Sequence, residues 1–403
     1  MTGFAPEDLY REPNALAPFY SRFRVAERLL LTGHSHQAWP DRGFEGQLRA
    51  WEDAARLVDG KWEEAFARGN RVRAGYAELL GRPGRPDDGD VALGSNTHEL
   101  VVRFLSALPL RTRPRLVTTG GEFHSIRRQL DRLEEEGLTI VRVPVDPIDS
   151  LSERLGLATD DKTAGVLVSA VLYRDARIVG GLDRVAERCE QVGCHLLVDA
   201  YHALNAIPFD LSSLGLGRAF VVGGGYKYCQ LGEGNCFLRV PPDCRLRPAV
   251  TGWFAEFSAL HGGEEEGRVG YGPGAERFAG STYDPTSHYR AAEVFDFFRE
   301  QGLTPEFLRG VSRHQVDRLA AGFDALDLDP GLIDRDRNTP LETVGGFLAL
   351  RTARACNFHE ALAARGVATD YRDNLLRFGP APYLSDRQLD DTLAALGESS
   401  GLL

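Results

Sequence analysis

An aspartate and a lysine stand at matching places in this 403-residue chain. Asp199 closes the run HLLV (195–198), and Lys227 follows a second apolar run (219–222) and the glycines Gly223, Gly224 and Gly225. A carboxylate at the end of a buried strand is costly unless a cation answers it. Lysine, unlike arginine, sheds its proton at reachable cost and attacks carbonyls. The 47 basic residues include three lysines, Lys61, Lys162 and Lys227, so arginine has taken over the ordinary surface role. Taken singly, Asp199 reads equally as a helix N-cap or half of a core salt bridge, and residues 223–227 as a tight turn with a solvated lysine. A nucleotide-phosphate loop fits poorly, since GxxxxGK[ST] is not matched. Together, at neighbouring strand ends, the two suit pyridoxal 5′-phosphate (PLP): the lysine condenses with the aldehyde, and the carboxylate keeps the ring nitrogen protonated so that the ring draws electrons. Two further segments fit that use. Residues 94–100 (GSNTHEL) read as a strand-to-helix turn able to hold a phosphate at a helix N-terminus. Residues 121–125 (GEFHS) follow another strand and offer an aromatic ring to lie on a cofactor.

These residues need a scaffold, and the pattern supplies one. Short apolar runs at 116–118, 139–145, 165–171, 195–198 and 219–222 alternate with helical patterns at 125–137 and 182–192. That order predicts an α/β fold with a mostly parallel sheet covered by helices on both faces. Ligands in such sheets sit beyond the carboxyl ends of the strands, where Asp199 and Lys227 fall. Residues 261–285 read as a long irregular crossing. Beyond it, a helix at 291–301 and strands at 346–350, 367–372 and 375–378 predict a smaller α+β C-terminal domain. The expected division is an N-terminal segment (1–70), a large domain (71–290) and a small domain (291–403), with a frayed tail at 399–403.

Composition removes several function classes. The formal charge is −11, from 47 basic and 58 acidic residues, and the arginines are interleaved with acids, so nucleic acid is not expected as a partner. No apolar run approaches a membrane span, and residues 1–14 lack a secretory pattern, which predicts a cytoplasmic protein. The cysteines at 189, 194, 229, 236, 244 and 356 form no CxxC, so they read as small buried residues of a reducing compartment, and no metal site is expected.

In order and spacing the chain resembles the fold-type I, class V aminotransferase-like PLP enzymes, and within them kynureninases. The similarity spans about residues 91–384. It is carried by VDAYHALNAIPFDL (198–211), YKYCQLGEGNCFL (226–238), Gly252-Trp253-Phe254 and GVATDYRDNLLRFGPAPYLS (366–385). The resemblance implies Lys227 as the lysine that joins PLP, Asp199 as partner of the ring nitrogen, His202 near the ring hydroxyl and Phe123 stacked on the ring. It also implies Asn96, Thr97 and Tyr226 on the phosphate, with Trp253 and Ser281 reaching it from the second subunit of a homodimer. Arg377 would bind the carboxylate of an amino-acid substrate, a task suited to a planar fork. His202 also reads as a core histidine, Arg377 as a surface residue, and Phe123 and Tyr226 as packing; His124 competes with Phe123 as stacker and Thr282 with Ser281.

Three departures from the kynureninase pattern lie toward the substrate or the partner subunit. Where it has Gly-Asn-Ser-Leu-Gly, this chain has Gly33-His34-Ser35-His36-Gln37, so His34 and His36 become candidate substrate-binding residues or solvated loop histidines. Ile126 stands where an aspartate is usual, and residues 280–285 differ from Gly-Thr-Pro. The resulting expectation is Cβ–Cγ hydrolysis of L-kynurenine or a related 2-amino-4-oxo acid to anthranilate, or another carboxylic acid, and alanine. Lys227 would move the Cα proton, and Tyr226 would assist later proton transfers. The alternatives are a class V aminotransferase or β-lyase on another amino acid, and a non-catalytic PLP-binding protein. A cysteine desulfurase is disfavoured, because Cys356, the C-terminal candidate, reads as the start of a helix.

Overall fold

The computed structural model describes residues 3–82, 90–259 and 267–402. Its centre is a seven-stranded sheet in the order Val91–Gly94, Cys236–Arg239, Phe220–Gly224, His195–Asp199, Thr163–Ser169, Arg115–Thr119, Thr139–Val143. The five strands from Phe220–Gly224 to Thr139–Val143 run parallel, and Cys236–Arg239 is antiparallel to both neighbours. Every residue of Thr163–Ser169 is buried, as a strand covered on both faces requires. The pleat sends alternate side chains to two cores. Val166, Val168, Leu196 and Val198 join the helices Leu151–Ala158 and Leu182–Val192, whereas Ala164, Leu167 and Leu197 join Thr97–Ala107 and His124–Glu135. Helix Leu182–Val192 has the bounds its sequence predicts: Leu182, Val185, Ala186 and Cys189 form its buried stripe, and Gly193 ends it at φ 67°.

A four-stranded antiparallel sheet forms the second unit, in the order Asp370–Arg372, Leu375–Phe378, Leu348–Arg351, Asp334–Arg335. The expected strand at 367–372 divides at Thr369. Its first half, Val367–Ala368, pairs instead with Leu29–Leu30 in parallel, and Thr32 bridges to Gly379 beyond it.

The structure corrects several sequence expectations. Gly223 and Gly224 belong to the strand Phe220–Gly224 and not to a turn after it, because a side chain on Gly224 would lie 2.5 Å from the Tyr201 hydroxyl. The antiparallel strand Cys236–Arg239 was not anticipated. Residues 70 and 290, the expected divisions, lie inside the helices Lys61–Leu79 and Thr286–Gln301, which pack with Arg42–Leu57 into one bundle. The expected frayed tail is helical at its start: helix Asp386–Ser400 runs into it and buries Ser399, Gly401 and Leu402 form an exposed turn, and Leu403 lies outside the described residues. So do residues 261–266 of the expected crossing; its remainder is irregular apart from the 3-10 turn Gly274–Phe278. Among the described residues no helix is long and apolar enough to cross a membrane.

Gly379 tests how tightly the N-terminal segment is laid against the small sheet. A Cβ there would meet His34 Nδ1 at 2.1 Å and the His34 backbone nitrogen at 2.7 Å. Gly379→Ala is expected to lower unfolding free energy by about 1–3 kcal/mol, the usual cost of overpacking, in a urea titration.

Candidate active site

Strand ends bring the reactive groups together. Lys227 follows Phe220–Gly224, Asp199 closes His195–Asp199, and both side chains are buried. The lysine Nζ lies 2.6 Å from His202 Nε2 and within 5.4–5.8 Å of the ring centres of Tyr201, Phe123 and Tyr226. Burial drives its pKa down to about 7, against the opposing pull of Asp199. Asp199 accepts the Tyr201 backbone N–H at 2.8 Å, and burial raises its pKa to about 6 against that bond and the Lys227 charge. His202 is held well below its ordinary value by burial first and by Lys227 next, so it is a neutral imidazole accepting from the amine. Its Nδ1 has no hydrogen-bond partner among the described residues. A buried polar atom without a partner marks a place where an added group gains a bond.

The second set surrounds Arg377, which is 3% exposed. Asp370 and Arg377 are directly opposed on neighbouring antiparallel strands, so their side chains share a face. Arg377 donates from Nε to Asp370 Oδ1 at 2.7 Å, from NH2 to Oδ2 at 2.5 Å, and from NH1 to the Tyr173 carbonyl at 2.5 Å. His34 Nε2 lies 2.8 Å from Asp370 Oδ1, and burial lowers the His34 pKa to about 4, so a neutral ring donates. Burial pushes the Asp370 carboxyl up, but the bonds from His34 and Arg377 outweigh it and hold it well below the usual range. Phe347 joins the two sets: its ring lies 4.5 Å from His34, 6.1 Å from His202 and 5.5 Å from the Arg377 guanidinium.

The remaining candidates divide. Phe123, half-buried, faces the lysine, whereas His124 is exposed. His36 is also exposed and stacks on Tyr226 with ring centres 4.6 Å apart and planes at 16°. Asn96 caps helix Thr97–Ala107: its Oδ1 accepts the Glu99 N–H at 2.9 Å. That bond occupies its side-chain oxygen and leaves the backbone of the helix start for an anion. A cavity of about 1060 Å³ is lined by Gly94 and Ser95 and also by Ser281 and Thr282 of the same chain. Trp253 is half-exposed, and its Nε1 donates to the Thr282 hydroxyl at 3.3 Å.

Asp370, Phe347, Tyr173 and Glu122 were not assigned a role from sequence. Register would have found Asp370, since a two-residue turn places it opposite Arg377. Phe347 and Tyr173 arrive through tertiary packing and carry no local signal.

The geometry suits PLP: a buried amine of lowered pKa, an acid one strand away, aromatic rings around the amine, an unpartnered imidazole nitrogen and a helix start. No family model matches the chain. It is 24% identical over 344 residues to the uncharacterized aminotransferase YcbU of Bacillus subtilis (strain 168), covering 85% of this chain and 86% of that one. It is 21% identical over 320 residues to the cysteine desulfurase IscS of Rickettsia massiliae (strain Mtu5), covering 73% and 72%. Two solved structures resemble it along nearly their whole length. A variant of C-DES with glycine covalently linked to the PLP cofactor gives a TM-score of 0.81 at 14% identity, over 94% of this chain and 98% of that one. A cysteine desulfurase of Thermococcus onnurineus NA1 gives 0.78 at 16%, over 100% of both. The fold is that of the fold-type I PLP enzymes.

Asp370→Asn leaves a buried guanidinium without its anion, and breaking such a pair costs about 3–5 kcal/mol. Because the Asp370 pKa is depressed in the fold, its contribution is present above the ordinary carboxylate pKa and is lost as pH falls through the folded value. The stability gap between wild type and Asp370→Asn, read by urea unfolding, is therefore expected to be widest near neutrality and to close in acid.

Proposed function

We infer that this chain is a PLP-dependent enzyme acting on an α-amino acid as a class V-type aminotransferase or β-lyase. The observation that carries the reading is the buried Lys227 amine, with a pKa near 7, between His202 and Asp199. Bound PLP would supply an aldehyde for the substrate amine and an electron-poor ring that takes up the electron pair released at Cα. Lys227 and Asp199 would hold it at amine and ring nitrogen, Phe123 on its face, His202 at its edge, and the start of helix Thr97–Ala107 with Tyr226 at its phosphate. Ser281 and Trp253 complete that wall in the proposed homodimer, and a cytoplasmic setting belongs to the same reading.

The chain's own groups then divide the work. Arg377, fixed by Asp370 on one edge and Tyr173 behind, keeps further N–H groups for the substrate carboxylate. Lys227 is neutral in a large fraction of molecules near pH 7, so it is a competent base for the Cα proton and returns it as an acid. Asp199 would keep a proton on the ring nitrogen of bound PLP. Tyr226, stacked under His36, would assist later proton transfers.

Thiol chemistry is absent from this site. Cys356 bonds Glu360 at 3.6 Å and meets Tyr371, which alternation places on the sheet face opposite Asp370 and Arg377. Cys229 and Cys236 are buried, and burial raises both thiols to about 12. Cys189 and Cys194 sit at the amino end of His195–Asp199, away from the site. This favours transamination or elimination over persulfide transfer, although desulfurases are among the relatives. It agrees with the aminotransferase name of one relative and with a neighbour described as a cystine C-S lyase. Kynureninase-type hydrolysis is the second reading, favoured by the Asp370–Arg377 pair that the DYRDNLLRF motif builds.

The test is PLP-loaded protein offered a panel of amino acids. Keto acid formed once per site without an added acceptor denotes transamination; catalytic pyruvate and ammonia denote β-elimination; anthranilate with equal alanine from L-kynurenine denotes the second reading. Lys227→Ala is expected to remove the visible PLP absorbance and lower turnover at least about 10³-fold, in line with losing a general base and covalent anchor. Survival of both would refute the site.

A further inference from the structure

Glu122 has no part in the chemistry above, yet it is 2% exposed at the carboxyl ends of three adjacent parallel strands. The Thr119 hydroxyl lies 2.5 Å from its Oε1, the Ser169 N–H donates to the same oxygen at 3.2 Å, and the Ser169 hydroxyl lies 2.6 Å from its Oε2. Thr119 Oγ1 in turn accepts the Gly121 N–H at 3.1 Å. Ser169 is the direct register partner of Asp199. Directly paired residues of neighbouring strands project to one face, so Ser169 and Asp199 share one, and Glu122 reaches Ser169 there from the loop after Thr119, making a polar row of Glu122, Ser169 and Asp199 beside the proposed ring site.

The row contains two carboxyl groups, and among the described residues no arginine or lysine is bonded to Glu122. Two buried carboxylates sharing one neighbourhood cannot both ionise cheaply. The charged groups that face Glu122 are Asp199 from the next strand and, past it, Lys227; His124, on the helix that follows, is exposed. Lys227 lies on the Asp199 side, so the negative charge belongs on Asp199 and the proton on Glu122. Both hydroxyls can accept that proton as hydrogen-bond partners, and Glu122 needs no cation.

We propose that Glu122 is a positioning residue for the cofactor acid: a neutral carboxylic acid, held by Thr119 and Ser169, that leaves Asp199 as the anion opposite the ring nitrogen. This rests on the PLP reading for its purpose, but its protonation is a property of the protein without cofactor. Burial, opposed by Ser169 and Thr119 and reinforced by Asp199, places the Glu122 pKa at about 7.

The experiment reads the proton directly. The infrared carbonyl band of a protonated carboxylic acid is followed against pH in wild type, Glu122→Gln and Asp199→Asn, all without cofactor. A band lost with a midpoint near 7 in wild type, missing in Glu122→Gln, and lost at lower pH in Asp199→Asn is expected. A wild-type midpoint in the ordinary carboxylate range overturns the proposal, as does a midpoint that Asp199→Asn leaves unmoved. Melting temperatures give a second readout. A raised pKa means the folded state holds the extra proton, so its stabilisation is full at acid pH and is lost as pH rises through 7. Relative to wild type, Glu122→Gln is expected to gain melting temperature between pH 5 and pH 8; a loss over that interval sinks the idea. Should Glu122→Gln fail to fold, the wild-type band and its response to Asp199→Asn still decide. Adding PLP to wild type is expected to lower the midpoint, as ring protonation screens Asp199. Visible absorbance in that sample separates the two claims: no bound PLP removes the functional reading, whereas bound PLP with an unmoved midpoint removes this one.

Discussion

Everything in the site follows from burying one amine without a salt bridge. Lys227 has a neutral imidazole at 2.6 Å, and its nearest acid keeps its own backbone bond. In water such an amine is protonated far above neutrality. Here desolvation first, opposed by Asp199 and aided by the Arg377 charge, brings it to about 7, and the reading of a neutral, reactive amine gives that cost a purpose. The surroundings serve that end: aromatic faces around the amine, a histidine that accepts without charging, and an Arg377 kept occupied by Asp370. Any change that supplied Lys227 with a strong anion would stabilise the chain while removing its reactivity, a trade seen wherever sites store strain.

The large sheet was legible because its strands are short, apolar and separated by helices with clean stripes, so period and punctuation agree at most boundaries. Lys227 and Asp199 were legible through residue chemistry, since lysine is rare in this chain and both fall at strand ends. The failures have a common origin. Gly223 and Gly224 resemble turn residues, yet they are strand positions emptied of side chain so that Phe237 can approach the first and Tyr201 and Cys236 the second. The N-terminal helices were missed because their buried stripes are built largely of small residues, Gly43, Gly46 and Ala50 in one and Ala65, Gly69 and Gly75 in the other, while their own Arg42, Arg49 and Arg71 converge on Glu293 of the helix they pack against.

The candidate site divides along the same line. Residues on consecutive sheet positions, Asp199, His202, Tyr226 and Lys227, announce themselves in short motifs. Residues supplied by distant segments do not. Phe347 sits between two strands in an unremarkable Gly-Gly-Phe-Leu, and its place between His34, His202 and Arg377 depends on how the small unit docks. The kynureninase resemblance was read from four segments, the tail motif among them, and in the structure that motif builds a guanidinium braced by a carboxylate. In the proposed reading such a brace would serve any amino-acid carboxylate, so it would speak for the substrate's backbone end and leave its side chain open.

The docking of residues 29–33 against 367–379 has a consequence for synthesis. Leu29 and Leu30 pair with Val367 and Ala368, Gly33 donates its N–H to the Gly379 carbonyl, and Gly379 donates to Leu31. His34 therefore reaches its post only after a stretch more than 300 residues downstream has left the ribosome. The large sheet has all its strands by Arg239 and has no such wait. For about two-fifths of its translation the growing chain thus holds the strands that carry Asp199 and Lys227 while the segments that bring Phe347 and Arg377 to them are still to come, and the early-emerging residues 29–34 wait for the last strands to find their place.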